Sequence, residues 1–366
     1  MKAAILEKQG EPLIIGDVDI VEPRHGEVRV AVAHCGLCHS DLSIMDGAFP
    51  SEVPVVLGHE AAGVVEEVGP EVHGLEPGDH VVLSPIPPCG ICYGCLRGEP
   101  GTCANVIGIQ TNALADGNTG LSRNGQKVMR GVGVAALAES VVTAETGAVK
   151  IAKDIPLDVV CVIGCAVQTG VGAVLNTAGV EEGATVLVMG LGGIGLSIVQ
   201  GARLASAARI IVSDPVAERR EVAMRLGATD AIDPTAEDLA ARVIEITAGV
   251  GAYYAFDAVG RSELIETGVW ATRSGGTTVC VGAAPIEESI SISPAALFTI
   301  AEKKLLGCTL GSCNSLYDIP RLVALWQAGR LDLESLITKR RPLSEVNEAA
   351  ADLRAGVGVR TVLQVG

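Results

Sequence analysis

Aromatic residues are scarce in this chain. Phe, Tyr and Trp together make up 2% of its 366 residues, while glycine numbers 45. A core without aromatics has to be filled by aliphatic side chains, which suits Val- and Ala-rich sheets covered by helices, with many tight turns. Histidine is missing after His80, all six lying before residue 81, so imidazole chemistry belongs to the N-terminal third. Positive charge is also thin. The net charge is −16, and the longest basic run is Lys339, Arg340 and Arg341, which reads as a solvated surface turn before Pro342. So acidic a surface repels phosphate backbones and argues against a nucleic-acid partner.

No targeting signal is expected either. The opening MKAAILEKQGEP carries Glu7 and Lys8 where a signal peptide needs an apolar stretch. Two uncharged stretches, 159–180 and 183–202, reach the length of a membrane span. Both are rich in glycine and broken by Gln168, Asn176 and Gln200, so they read as buried strand–turn–helix units and no membrane partner is expected. The 11 cysteines are odd in number and come without a secretion signal. That argues against a disulfide framework and for reduced thiols in a cytoplasmic protein, some of them on metal.

What is present falls into two textures. Up to about residue 150 the chain reads as short strands and frequent turns: 28–33 and 63–68 are Val-rich, while VEPRHGE and EPGDHVVL carry Pro/Gly turn signals. This predicts an irregular, mostly β domain. From about Glu182 strands and helices alternate. Strands are expected at 184–190, 208–214, DAID, YYAFDAVG, GGTTVCVG and 304–311, with helices between them, including one over 235–248. Alternation of this kind predicts an α/β unit with a doubly wound, six-stranded parallel sheet. The tail ends in RTVLQV, a strand that needs a sheet partner and could rejoin the first domain. The expected boundaries are 1–166, completed by 310–366, for the first domain and 167–309 for the second.

GLGGIG, Gly190 to Gly195, follows an apolar strand and opens a helix, the context in which G-x-G-x-x-G points to a dinucleotide. Gly190 permits the tight turn, Gly192 lets the backbone approach a pyrophosphate, and Gly195 allows close packing of helix on strand. With Gly193 and Ile194 they form the expected phosphate-facing turn, where unpaired N–H groups open the helix. Asp214 ends the following strand, where a carboxylate can bond a ribose 2′-hydroxyl and would repel a 2′-phosphate, favouring NAD over NADP.

A second signal is CGICYGCLRGEPGTC, with Cys89, Cys92, Cys95 and Cys103. Four thiolates in fifteen residues can wrap one tetrahedral Zn²⁺ and leave no open position, which makes a structural site. Spacing and the Gly/Pro-rich loop favour zinc, with an iron–sulfur cluster or redox thiols as the competing readings. A third signal is dispersed: Cys38 within AHCGLCHSDL, His59 within GHE, and Cys165 within VIGCAVQTG. Singly each reads as packing or a turn. Together, two thiolates and an imidazole would make a zinc site with a free fourth position. Cys35 and Cys38 also form a C-x-x-C, open to a redox reading.

GLCHSD, GHE, the four-Cys lobe, GCAVQTG, GLGGIG with Asp214, and the terminal VRTVL occur in the order found in the zinc-dependent medium-chain alcohol dehydrogenases. The chain resembles the long form of that family, which includes aryl-alcohol dehydrogenases and glutathione- or mycothiol-dependent formaldehyde dehydrogenases. The resemblance covers nearly the whole chain. It implies a GroES-like catalytic domain beside a Rossmann domain, and an NAD-dependent alcohol dehydrogenase with two Zn²⁺ per subunit.

By that resemblance Cys38, His59 and Cys165 hold the catalytic zinc and the four lobe cysteines the structural one. Ser40 accepts the substrate proton, Asp41 orients His59, and Glu60 sits behind the metal. His39 and Arg360 face the cofactor pyrophosphate, Thr169 the nicotinamide and Arg219 the adenosine ribose, and Val281 is a further cofactor-binding residue. Cys35 then becomes buried packing, and the C-x-x-C a coincidence. The resemblance also implies a homodimer or homotetramer built on the edge strand of the cofactor domain, with 291–310 as a candidate surface.

Two features depart from the family pattern or qualify it. Many members carry a histidine three residues after the relay hydroxyl; here that position is Ser43, whose hydroxyl can relay but not store a proton. Deprotonation is therefore expected to use water, or Ser43 with water. Pro85 stands where relatives often place an aromatic pocket residue, which predicts a roomy pocket for benzyl or longer alkyl alcohols. A thiol–formaldehyde adduct would instead need cations near the mouth, for which Arg123, Lys127 and Arg130 are candidates.

Overall fold

The computed structural model describes all 366 residues, Met1–Gly366. Two compact units divide the chain at Cys165/Ala166 and Cys313/Asn314. The second crossing lies later than the 309/310 boundary expected from sequence, and the reason is local. The turn Leu310–Ser312 packs on the helix Ala166–Gly172, where a Cβ on Gly311 would stand 2.3 Å from the Gln168 carbonyl oxygen, so it stays with the second unit.

In the first unit a seven-stranded sheet carries the site. Its order is Ala148–Ile151, His80–Leu83, Glu60–Val68, Glu27–Gly36, Arg360–Gln364 and Ile337–Pro342, with Ser140–Ala144 also paired to Glu27–Gly36. The C-terminal strand lies antiparallel to Glu27–Gly36, Val362 opposite Gly36, so the tail does rejoin the first unit. Val28, Val30, Val32, Leu83 and Leu363 fill the core on the aliphatic side chains that the composition requires. Smaller sheets, one of four strands and one of three, complete the unit.

The basic run is not a turn. Lys339, Arg340 and Arg341 belong to the strand Ile337–Pro342, and each cation is paired: Lys339 and Arg341 with Asp352, Arg341 also with Glu345, and Arg340 with Asp158. Local charge suggested solvent, but register beside Arg360–Gln364 decided the conformation.

The second unit is a six-stranded parallel sheet. In sequence the strands are Thr185–Met189, Arg209–Ser213, Asp230–Ile232, Ala252–Asp257, Thr272–Cys280 and Lys304–Gly307, and in space they run third, second, first, fourth, fifth, sixth. That is the doubly wound order, in which the crevice for a ligand opens between the first and fourth strands. The last strand is shorter than the expected 304–311, because the chain leaves the sheet for the left-handed turn at Leu310–Ser312. No single helix in the structure is long and apolar enough to cross a membrane.

Candidate active site

Pairing of two strands brings residues 21 apart together. Glu27–Gly36 and Glu60–Val68 are antiparallel neighbours with Gly36 opposite Glu60. Cys38 therefore sits just beyond the end of one strand and His59 just before the start of the other. Cys165 follows the turn Cys161–Gly164, held against His80–Leu83 so closely that a Cβ on Gly164 would lie 2.6 Å from the Leu83 carbonyl oxygen. The Cys38, His59 and Cys165 ligand atoms all lie within 4.8 Å of one another, and all three residues are buried.

Each side chain is held from behind. Asp41, in the first turn of the helix His39–Met45, is fully buried, and its carboxylate accepts from the Cys38 N–H at 3.0 Å and the Gly58 N–H at 2.9 Å. It also lies 3.3 Å from His59 Nδ1. With Nδ1 turned to Asp41, Nε2 points inward, and this buried nitrogen has no hydrogen-bond partner. Burial opposes a charged imidazole, but Asp41 outweighs it and raises the His59 pKa. The Cys38 thiol is held well below its ordinary range, chiefly by the hydrogen bond from Cys165, whose own pKa rises in return. An orphaned imidazole nitrogen beside two converging thiols, one of them readily ionised, is a donor set that fits zinc.

Glu60 and Arg360 form the layer behind. Both are buried, with Arg360 Nε 3.0 Å from Glu60 Oε2, and Arg360 Nη1 donates to the Leu37 carbonyl at 2.7 Å. Burial opposes the guanidinium charge, but Glu60, Cys38 and Cys165 together hold its pKa above the ordinary value. Sequence reasoning missed Gly36 here: a Cβ there would come within 2.3 Å of Glu60 Oε2, so only glycine leaves room for the carboxylate. A glycine ending an apolar strand just before the ligand motif was the available signal.

Ser40 and Ser43 share the helix His39–Met45 with Asp41. Ser40 Oγ lies 3.9 Å from Cys38 Sγ, whereas Ser43 Oγ donates back to the His39 carbonyl at 3.1 Å. His39 itself is exposed. Pro85 lines a cavity of about 490 Å³ whose other walls include Arg24, Glu27, Asn105 and Thr143 but none of the three candidate ligands. Of the three candidate cations, Arg130 is excluded from any mouth. It is fully buried, and its guanidinium donates to the carbonyls of Thr119, Gly133, Val134 and Val142. Arg123 is paired with Glu7, which leaves Lys127 exposed.

The four-cysteine lobe has almost no core. Ile91, Tyr93 and Leu96 are at least 75% exposed, and its helical turns span only three or four residues. Its four sulfur atoms nevertheless lie within 4.8 Å of one another. Backbone N–H groups point at them: Cys92 to Cys89, Ala104 to Cys92, and Cys89 and Asn105 to Cys103. Backbone donors, Cys95 and Ala104 foremost, draw the Cys92 pKa down to about 6, while burial pushes Cys103 up to about 12. Converging thiols on a coreless loop fit a metal that supplies the missing cohesion.

In the second unit the Gly-rich turn has the expected form. Gly190 has φ +87°, and a Cβ on Gly195 would lie 1.8 Å from the Gly190 carbonyl oxygen. Gly192 is the N-cap of the helix Gly193–Leu204, and a Cβ there would meet no protein atom within 4 Å. The space in front of that helix end is open, a cradle that fits a pyrophosphate. Gly192→Ala is therefore expected to fold with unchanged Tm and to bind NADH at least about tenfold more weakly, measured by fluorescence titration. An unchanged affinity would remove the turn from the cofactor site. Asp214 is buried at the end of the second strand, accepting from the Leu191 N–H at 2.7 Å and the Val216 N–H at 2.8 Å. Thr169 and Val281 are buried and Arg219 is half-buried.

Comparison with known proteins decides the family. Residues 24–153 match the model of the alcohol dehydrogenase GroES-like domain, and residues 193–328 that of the zinc-binding dehydrogenases. An NDMA-dependent alcohol dehydrogenase of Amycolatopsis methanolica is 39% identical over 99% of this chain and 98% of its own length. The chain belongs to the zinc-dependent medium-chain alcohol dehydrogenase family. It is an oxidoreductase of that family, with the GroES-like and Rossmann architecture throughout. The S-(hydroxymethyl)glutathione dehydrogenase of Synechocystis sp. is 36% identical over 99% of both chains. The crystal structure of benzyl alcohol dehydrogenase from Acinetobacter calcoaceticus superposes with a TM-score of 0.93 at 32% identity, covering 100% of this chain and 99% of that one.

Proposed function

We propose that this alcohol dehydrogenase transfers hydride between a primary alcohol, aromatic or longer-chain, and NAD, giving the aldehyde, and runs in both directions. The observation that carries the reading is the buried, unbonded Nε2 of His59 beside the Cys38 and Cys165 thiols. In this reading those three side chains hold a catalytic zinc, and Cys89, Cys92, Cys95 and Cys103 a structural one. A catalytic zinc supplies Lewis acidity to an alcohol or carbonyl oxygen at its free position.

The chain's own residues do the rest. Asp41 keeps His59 in the tautomer that presents Nε2. The Ser40 hydroxyl accepts the alcohol proton. Ser43 already donates to a backbone carbonyl, so the proton leaves Ser40 through water. The rate of alcohol oxidation is then expected to rise with the concentration of a proton-accepting buffer such as imidazole, at constant pH and ionic strength; a flat response would count against this route. Asp214 supports NAD over NADP, since its carboxylate suits a ribose hydroxyl and repels a phosphate there. The ratio of kcat/KM for the two cofactors measures that preference.

Few aromatics and a benzyl alcohol dehydrogenase among the similar structures support a benzyl or longer alkyl substrate. A second reading, oxidation of a thiol–formaldehyde adduct, is favoured by the Synechocystis relative. Against it, Arg130 and Arg123 are already engaged. Assays with NAD⁺ and benzyl alcohol, octanol, or formaldehyde with glutathione or mycothiol separate the two, run with and without NDMA because one relative depends on it. Turnover of the simple alcohols alone supports the first reading; turnover only with the thiol mixture replaces it.

A homodimer or homotetramer in the cytoplasm belongs to this reading. The strand Lys304–Gly307 is paired on one side only, and Ile286, Ile290, Leu297 and Ile300 nearby in sequence are exposed. None of the eleven cysteines is in a disulfide, which suits a reducing compartment. Sedimentation equilibrium tests the assembly, and a monomer would overturn it.

A further inference from the structure

Asp257 ends the fourth strand of the parallel sheet, Ala252–Asp257, and none of the roles above includes it. It is completely buried, and it forms no ion pair. Its carboxylate accepts backbone N–H groups of the turn that follows: Val259 to Oδ1 at 3.0 Å, Gly260 to Oδ2 at 2.9 Å and to Oδ1 at 3.2 Å, with the Arg261 N–H also drawn to it. Burial pushes its pKa up, against the pull of those N–H donors. A buried carboxylate without a cation is costly. The residue's placement indicates what that cost secures.

Three segments meet at Asp257. Its own carbonyl accepts the N–H groups of Val281 and Gly282, each at 2.9 Å, and the Ala258 N–H donates to Met189, the residue before Gly190, at 2.9 Å. The turns are pressed together: a Cβ on Gly282 would fall 2.1 Å from the Gly260 nitrogen, and one on Gly190 would fall 2.3 Å from Val259 Cγ2. The isopropyl group of Val259 thus lies over Gly190 while remaining 45% exposed. An apolar side chain held in the open beside a phosphate-facing turn has a ligand surface to cover.

We propose that Asp257 is a positioning residue of the dinucleotide site, its carboxylate fixing the 258–260 turn so that Val259 is held against Gly190 at the wall of the cofactor crevice. The proposal rests on the reading of Gly190–Gly195 as the dinucleotide turn. It assigns Asp257 to cofactor affinity and leaves hydride transfer to the first unit. Replacement by asparagine would turn an N–H₂ group toward at least one of these backbone donors, so the turn would lose a bond and gain a repulsion.

The test is NADH binding to the zinc-loaded full-length protein by fluorescence titration, with Tm and steady-state kinetics alongside. Wild type, D257N, V259A and the double variant are compared. D257N is expected to raise Kd for NADH and KM for NAD⁺ about tenfold, equivalent to 1.4 kcal/mol, with kcat changed by less than about twofold. V259A should weaken binding at unchanged Tm, and the double variant should bind no more weakly than D257N, since both changes act through one contact. If D257N does not fold, V259A still decides, because it leaves the carboxylate and its bonds intact. NADH affinity at the wild-type level in D257N or V259A, or fully additive losses in the double variant, would overturn the proposal alone. A wild type that does not bind NADH would overturn the reading of the Gly-rich turn as well.

Discussion

His59→Ala protein is expected to retain one equivalent of zinc per chain where the wild type is expected to hold two, and to oxidise alcohols more slowly by a factor on the order of 10⁴. The reasoning is geometric. Nε2 of His59 is the one nitrogen ligand the candidate trio offers, and Asp41 aims it by occupying Nδ1. Removing the ring leaves two thiols, too few to hold a zinc with an open position. The four lobe cysteines are a separate set of sulfur atoms and should keep their ion. Metal content by mass spectrometry, read with the rate of NADH formation, checks both halves. Asp41→Asn, which keeps every ligand but weakens the hold on Nδ1, should lower zinc affinity by roughly 10–100-fold. His59→Ala protein that kept two zinc ions, or kept its activity, would show that the trio is not the catalytic metal site.

Arg360→Met should strongly destabilise the first unit. Arg360 and Glu60 are buried together, and the guanidinium offsets a carboxylate beside two thiols. Without the cation, Glu60 stays buried but loses its guanidinium partner, a defect worth about 3–5 kcal/mol and a fall in Tm on the order of 10 °C. The double variant Arg360→Met, Glu60→Gln removes both charges and should regain much of that loss, as read by thermal denaturation. If the single variant melts like the wild type, the pair is not what stabilises this layer. If the double is no better than the single, the lost bond to the Leu37 carbonyl matters more than the stranded charge.

Besides the pyrophosphate contact that the resemblance implies, Arg360 has a second part to play. The structure shows its guanidinium engaged inside the first unit, with Glu60 and the Leu37 carbonyl. No sequence rule links residues 60 and 360. The contact exists because the last strand pairs with Glu27–Gly36, whose other neighbour begins at Glu60. Ser43 is a similar case. Sequence offers it as a relay partner together with water, and the helix adds a local contact, since a helical serine can bond the carbonyl four residues back and this one does.

Features set by short-range chemistry were open to reading from the chain itself. The Gly190–Gly195 turn, the strand–helix alternation after Glu182 and the four cysteines within fifteen residues each depend on neighbours a few positions away, so spacing and residue type carry them. Their order along the chain was enough to indicate the family. Tertiary structure decided what depends on register between distant strands: the burial of Arg130 among carbonyls, the strand conformation of Lys339–Arg341, the glycine required at 36 beside Glu60, and the three turns tied together at Asp257. In each of these the partner lies on another strand or turn, brought close by hydrogen-bonded pairing and aliphatic packing. Side-chain roles of that kind are fixed only once the sheets have closed.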